Sequence, residues 1–405
     1  MARIVFFCIP AHGHTNPTLG VVQELTRRGH EVLYYSYRAF REKIEAAGAE
    51  FFACDDFDGE LHLTKEESAR LGSDLALSTR VLVDTTLSLD DMVCREMERL
   101  KPDCIVADSM AVWGKAVAKK LGIPFVSSTT TFAFNQHSAK IMKQGFREMA
   151  AMLLAMPKIQ KDLKRLRDKG YPVKNILDII GNDDSTETIV YTSPEFQPCS
   201  ETFSEKYAFV GPSIRPVEQP VKKRRKKLIY ISMGTVNNAM VPLYRNCIEA
   251  LKDTGYQVIL SVGREVDLST LGNLPENVEA YPFVDQIAVL EQADAFLTHC
   301  GMNSVSEALY FGVPLLMLPG TREQTGVAAR VLQLGAGLEL KEPSADAICH
   351  GVETLLADAV YRNNAEMIGE SFRRCGGAKA AADKVLDCCK TNGTAKISTR
   401  QRQKE

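Results

Sequence analysis

Thr298-His299-Cys300-Gly301-Met302-Asn303-Ser304-Val305-Ser306-Glu307 joins an apolar run, Ala295-Phe296-Leu297, to a helical pattern that opens at Ser304. A glycine-containing turn between a strand and a helix presents free N–H groups and the positive end of the helix dipole, a setting that suits a phosphate. His299, Asn303 and Ser304 converge on this turn, and Glu307 follows one helical turn later. Together they describe a site for a nucleoside diphosphate. Ser304-x-x-Glu307 is equally the pattern of a capping box, which needs no ligand, and the residues alone leave both readings open. A second group lies after the first strand of the chain, in Pro10-Ala11-His12-Gly13-His14-Thr15-Asn16-Pro17. The loop at the carboxyl end of a first parallel strand is where doubly wound sheets place ligands. A histidine there, with an ordinary pKa of about 6.5, can take the proton of a hydroxyl nucleophile as it attacks. An imidazole doing so needs an orienting carboxylate. Asp108, closing the strand Cys104-Ile105-Val106-Ala107, is the candidate, with the alternative that it caps the helix containing Trp113 and Val117.

The elements that must hold these residues repeat in two halves. Ile4 to Ile9 is an uninterrupted apolar run, as expected for a parallel strand buried on both faces. Pro17 then opens a helix with Leu19, Val22 and Leu25 on one face, and Gly29 ends it before Val32-Leu33-Tyr34-Tyr35. The plan recurs from Leu228-Ile229-Tyr230-Ile231 through Ser232-Met233-Gly234-Thr235, a helix to Leu251, Gly255 and Val258-Ile259-Leu260. Helix–Gly–strand alternation predicts two doubly wound α/β domains, and a length of 405 residues, too long for one ordinary core, agrees with the number of domains. The expected boundaries are an N-terminal domain over 1–213, a linker over 214–227, a C-terminal domain over 228–389 and a polar, frayed tail over 390–405. Residues 55–95 and 132–175 break the alternation. In the second, Phe132, Phe134, Met142, Phe146, Met149, Met152 and Met156 could line a pocket for an apolar acceptor or simply pack as core.

A net charge of −2, with 45% hydrophobic and 25% charged residues, describes an ordinary globular chain and argues against a general nucleic-acid binder. The eleven cysteines form no C-x-x-C and read as buried reduced thiols of a cytoplasmic protein. The N-terminal apolar run is too short for a signal peptide, and no stretch approaches the roughly 20 apolar residues of a membrane span. Lys222-Lys223-Arg224-Arg225-Lys226-Lys227 carries enough charge for weak contact with an anionic membrane surface. Pro212, Pro216 and Pro220 before it favour a solvated linker.

Between His299 and Gln324 the chain resembles the UDP-glycosyltransferase superfamily, and within it the macrolide glycosyltransferase branch. That family's donor signature runs His-x-Gly-x-Asn-Ser-x-x-Glu-Ala-Leu, Gly-x-Pro, then an acidic residue and Gln, met here by His299 to Leu309, Gly312-Val313-Pro314 and Glu323-Gln324. Gly13-His14-x-Asn16-Pro17 and the strand-end Asp108 resemble its acceptor-side motifs, so the resemblance covers essentially the whole chain. It implies two Rossmann-like domains facing a central cleft, the GT-B architecture, and an inverting, metal-independent hexosyltransferase. The donor is expected to be UDP-glucose, and the acceptor a hydroxyl of a small hydrophobic macrolide, phenol or other natural product. His14, rather than His12, becomes the general base and Asp108 its partner. Asn303, Ser304 and His299, with Gly301 in the turn, would neutralise the diphosphate, and Glu307 would hold the ribose. Glu323 and Gln324 would hold the sugar, with Ser232 and Thr235 as further contacts. No metal or cofactor is expected: a metal-dependent enzyme would hold its cation with an Asp-x-Asp pair, and Asp55-Asp56 and Asp183-Asp184 read as adjacent pairs as common in turns as at metal sites.

Three departures stand out. The family's Trp-x-Pro-Gln reads Phe283-Val284-Asp285-Gln286 here, so Phe283 would stack less extensively on the base. Gly320 stands where Gln is common, and Val327 where Asn is common. A lipid-directed transferase is the nearest alternative, followed by a sugar-nucleotide epimerase and a nucleotide-sugar binding protein without catalysis. A monomer or a dimer is expected.

Overall fold

The computed structural model describes residues 1–55, 64, 66–67, 74–135, 137–138, 146–182, 185–217, 219–234 and 240–402. The chain divides into two compact units. The first holds Met1–Tyr191, Cys199–Val210 and Ala378–Glu405, and the second holds Thr192–Pro198 and Gly211–Gly377.

The first unit is built on a parallel sheet of β1 (Arg3–Phe7), β2 (Glu31–Ser36), β3 (Glu50–Ala53), β4 (Cys104–Asp108), β5 (Phe125–Thr129), β6 (Glu187–Val190) and β7 (Tyr207–Phe209), in the order β3-β2-β1-β4-β5-β6-β7. Its connections carry α1 (His12–Arg27), α2 (Arg41–Ala46), α3 (Leu75–Leu100), α4 (Val112–Leu121) and α5 (Phe146–Asp168). The apolar run of β1 serves both faces, because successive side chains alternate across a strand. Val5 and Phe7 join the core with Val93 of α3, Val117 of α4 and Leu163 of α5. Ile4 and Phe6 join a second core with Val21 and Leu25 of α1. That second core also includes Ala381, Ala382 and Val385, from the helix at the other end of the chain.

A buried polar knot ties the long helices together. Asp90 of α3, 5% exposed, accepts from Tyr171 Oη at 2.5 Å, Lys120 Nζ at 2.9 Å and Cys94 Sγ at 3.2 Å. Burial alone would lift this carboxyl, but donation from Tyr171 and Lys120 outweighs it and holds the group below its ordinary value. A depressed carboxylate stabilises the fold above its unfolded-state pKa, and that contribution fades as pH falls through the folded value. Asp90→Ala is therefore expected to cost roughly 2–3 kcal/mol at neutral pH, the low side for a buried ion pair because Lys120 keeps some contact with water. Urea unfolding of the two proteins would check the cost, and its decline in acid would check the sign.

The second unit has a parallel sheet of β8 (Leu228–Ser232), β9 (Gln257–Ser261), β10 (Val278–Tyr281), β11 (Ala295–Thr298), β12 (Leu315–Met317) and β13 (Gly337–Glu339), in the order β10-β9-β8-β11-β12-β13. Around it run α6 (Val241–Leu251), α7 (Gln286–Leu290), α8 (Met302–Tyr310), α9 (Arg322–Gln333), α10 (Ala345–Ala357) and α11 (Ala359–Arg374). The last helix, α12 (Gly377–Arg402), belongs to the first unit.

The two doubly wound α/β domains expected from the alternation are present, with different boundaries. The crossing falls at Val210–Gly211 rather than after 213, residues 192–198 belong to the second unit, and 378–389 belong to the first. Helix α12 continues to Arg402 through the segment expected to fray. The basic run is docked on its own unit rather than free in solvent. Lys223 and Lys227 pair with the buried Asp294 at 2.5 and 3.0 Å, and Arg224 and Arg225 face Glu279 and Glu276. Lys222 and Lys226 are exposed. All eleven cysteines are free thiols. Of the suggested apolar pocket, Phe132 is buried, Met156 packs on the core and Phe134 is 52% exposed. Met142 and the side chains of Phe146, Met149 and Met152 lie outside the described residues.

Candidate functional site

In each sheet the chain runs outward from a first strand on one side and then restarts on the other, which leaves a crevice at the carboxyl ends of the two central strands. In the first unit those strands are β1 and β4, paired from Ile4–Cys104 to Phe7–Ala107. His14 follows β1 and Asp108 ends β4, so the topology delivers them to the same crevice. His14 Nδ1 lies 2.7 Å from Asp108 Oδ2. The Asp108 side chain is fully buried and that of His14 is 20% exposed. A carboxylate can only accept, so Nδ1 carries the hydrogen and Nε2 becomes the ring nitrogen that takes up a proton. Thr130, just past β5, brings its hydroxyl oxygen within 3.2 Å of the same Nδ1.

Asp108 does not cap the following helix. The N-cap of α4 is Ala111, and the second Asp108 oxygen accepts from the Met110 N–H at 2.8 Å. His14 is on a helix rather than in the expected loop, because α1 begins at His12 and Pro17 lies inside it. Proline in the second turn forfeits a bond to the Gly13 carbonyl, a loss tolerable so close to a helix start. His12 points elsewhere, its ring 4.9 Å from that of Phe40.

The crevice of the second sheet lies between β8 and β11, where Ser232 pairs with Thr298. Past them, the His299 ring packs close to two glycines. A Cβ on Gly234 would lie 2.5 Å from His299 Cε1, and one on Gly301 would lie 2.7 Å from Nε2. Glycine at both positions makes the slot. Desolvation lowers the His299 pKa, favouring the neutral ring, and Nδ1 has no hydrogen-bond partner among the described residues. Cys300 turns the chain at φ 68°, a left-handed conformation that a side chain makes costly. Gly301 then caps α8 without any side-chain bond. The helix thus opens two residues before Ser304, and the Ser304–Glu307 capping box does not form. The first turn of a helix has no intrahelical acceptor for its N–H groups, so this end of α8 suits an anion.

Gln286, the first residue of α7, donates to Glu307 Oε2 at 2.5 Å and to Ser304 Oγ at 3.3 Å. Tyr230 Oη donates to Gln286 Oε1 at 3.3 Å. Glu307 is half-buried; burial pushes its carboxyl up to about 7, with Gln286 and the nearby Arg215 guanidinium opposing the rise. Phe283, past β10, is 63% exposed, and Val284 beside it is half-buried.

A capping box is present one helix later. Thr321 Oγ1 accepts from the Gln324 N–H, while Gln324 Oε1 accepts from the N–H groups of Thr321 at 3.0 Å and Gly320 at 2.8 Å. The carbonyl end of Gln324 is thereby committed to the backbone, leaving its amide hydrogens for a ligand. Glu323 beside it is exposed, and Val327 is buried core. Thr235 lies outside the described residues, as does Asp56-Phe57-Asp58, which has the Asp-x-Asp spacing in the N-terminal half. Sequence reading missed Thr130 and Asp285. A polar residue just past a strand end was the only available signal for the first, and an Asp before a short apolar helix the signal for the second.

The description "Erythromycin biosynthesis protein CIII-like, C-terminal domain" belongs to a family model matching residues 245–374. Over 404 residues the chain is 33% identical to an uncharacterized UDP-glucosyltransferase, YojK, of Bacillus subtilis (strain 168), covering 96% of this chain and 98% of that one. It is 30% identical over 403 residues to the demethyllactenocin mycarosyltransferase of Streptomyces fradiae, covering 95% and 86% respectively. Among solved structures, CalG4, the calicheamicin glycosyltransferase, is similar with a TM-score of 0.80 and 29% identity, over 96% of this chain and 98% of that one.

Proposed function

The chain belongs to the UDP-glycosyltransferase superfamily, and from that premise we propose an inverting, metal-independent transfer of a hexose from a UDP-sugar, UDP-glucose foremost, to a hydroxyl of a small hydrophobic natural product. It is a glycosyltransferase of the GT-B fold. The observation that carries the proposal is the His14–Asp108 pair, held at 2.7 Å with Nε2 left as the basic nitrogen.

As the acceptor oxygen attacks the anomeric carbon, its proton passes to His14 Nε2, and Asp108 steadies the imidazolium that forms. The bond from that carbon to the diphosphate oxygen breaks, and its electron pair leaves with UDP. Attack opposite the leaving group inverts the anomeric centre. The first-turn N–H groups of α8 stabilise the departing negative charge. Glu307 accepts from the ribose hydroxyls, Phe283 stacks on the base, and Glu323 with the Gln324 amide holds sugar hydroxyls. Ser232 and the neutral His299 ring border the diphosphate. Names of relatives, among them the oleandomycin glycosyltransferase of Streptomyces antibioticus, support an apolar natural-product acceptor. Among the described residues no group of His, Cys, Asp and Glu is arranged to hold a metal ion, and no helix is long and apolar enough to cross a membrane.

Purified protein given UDP-glucose and a panel of phenolic and macrolide acceptors should release UDP only when an acceptor is present. Proton NMR should show a β-linked product from the α-linked donor, at a rate unchanged by EDTA. An α-linked product would end the single-displacement mechanism. Loss of turnover in EDTA would end metal independence and turn attention to Asp56 and Asp58.

A further inference from the structure

Asp285 stands where the family pattern has proline. Its backbone φ is −69°, within the range a proline ring imposes. Its Oδ1 accepts from the Ile287 N–H at 3.2 Å and the Ala288 N–H at 3.4 Å, capping α7. The same oxygen accepts from Arg215 Nη2 at 2.5 Å. Gln286, the next residue, is the one that reaches both Ser304 and Glu307. We propose that Asp285 and Arg215 are positioning residues for the nucleotide site, supplying by a helix cap and an ion pair the fixed loop that proline supplies covalently, and so holding Gln286 against Glu307. The inference rests on the reading of Glu307 as the ribose-binding carboxylate.

Charge gives the pair a second effect. Arg215 favours the ionised form of Glu307 and Asp285 opposes it, while Tyr230 is the other titratable group nearby. The ionised carboxylate is the form that accepts from two ribose hydroxyls, so UDP affinity falls as pH drops through neutrality. Without Arg215 the midpoint of that fall moves upward. Arg215 is about half exposed, and an exposed ion pair adds little to fold stability. A purely structural role would therefore leave both affinity and its pH profile in place.

Calorimetric titration of UDP into the full chain across the neutral range tests the proposal. Arg215→Ala should weaken UDP about 3–5-fold at neutral pH, raise the pH midpoint and leave the melting temperature near that of the parent. Arg215→Lys should restore the midpoint. Asp285→Pro should keep UDP affinity, because the backbone already has proline's φ, whereas Asp285→Ala should lose it. Unchanged affinity and midpoint in Arg215→Ala would overturn the proposal, as would Asp285→Pro binding no better than Asp285→Ala. A parent protein that binds no UDP would overturn the donor-site reading itself, a result distinct from either.

Discussion

His14→Ala should lower acceptor-dependent transfer by roughly 10²–10⁴-fold, the usual worth of a positioned general base, while UDP binding stays as in the parent. The separation follows from where the residue sits. His14 is anchored in the first unit by Asp108 and the Thr130 hydroxyl, whereas the proposed nucleotide contacts all belong to the second. Asp108→Asn should also be severe, for a different reason. An amide can turn its NH₂ toward Nδ1, which selects the tautomer with hydrogen on Nε2 and removes the basic nitrogen. UDP release with a competent acceptor, alongside UDP titration, checks both. Near-parental transfer by His14→Ala would mean that another group removes the proton.

Gly234→Ala should reduce UDP affinity at least about tenfold, or about 1.4 kcal/mol. Two costs coincide at this position. The backbone is at φ +81°, where an L side chain is strained by roughly 1–2 kcal/mol. The added carbon would also stand 2.5 Å from His299 Cε1 and 2.7 Å from Nε2. A carbon on Gly301 would likewise stand 2.7 Å from Nε2, so both glycines border the same edge of the ring. What yields is the turn that leads to the α8 N-terminus, and with it the aim of the N–H groups there. Gly255→Ala is the control, since a carbon added there meets nothing within 4 Å. Parental UDP affinity in Gly234→Ala would show that the His299 slot has no part in holding the diphosphate.

Much of this was legible in the sequence because parallel strands buried on both faces declare themselves as apolar runs, and the residue after each run is carried to the ligand edge of the sheet. His14, Asp108, Ser232 and His299 were found that way, and each is near a central strand end. Short-range helix geometry was less legible. Ser304-x-x-Glu307 and Thr321-x-x-Gln324 both have the spacing of a capping box, but only the second forms one. Gly301, which starts its helix without a side chain, decides the first case, and the sequence pattern does not weight that choice. Pro17 misplaced the start of α1 for a related reason: proline is favoured early in a helix but does not mark its first residue. The domain boundary failed differently. Ala381, Ala382 and Val385 have an apolar face that could pack on either unit, and only tertiary contacts assign it to the first.

That assignment has a consequence for the order in which the protein can be made. The core on one face of β1, among the first strands to leave the ribosome, is completed by side chains more than 370 positions later. The first unit therefore waits, with part of an apolar face uncovered, while the entire second unit is synthesised. Domains of a nascent chain generally fold in order of emergence. Here the second unit, whose described core comes from residues 229–361, is the one that can finish first. Emergence of α12 is then the event that seals the half carrying His14.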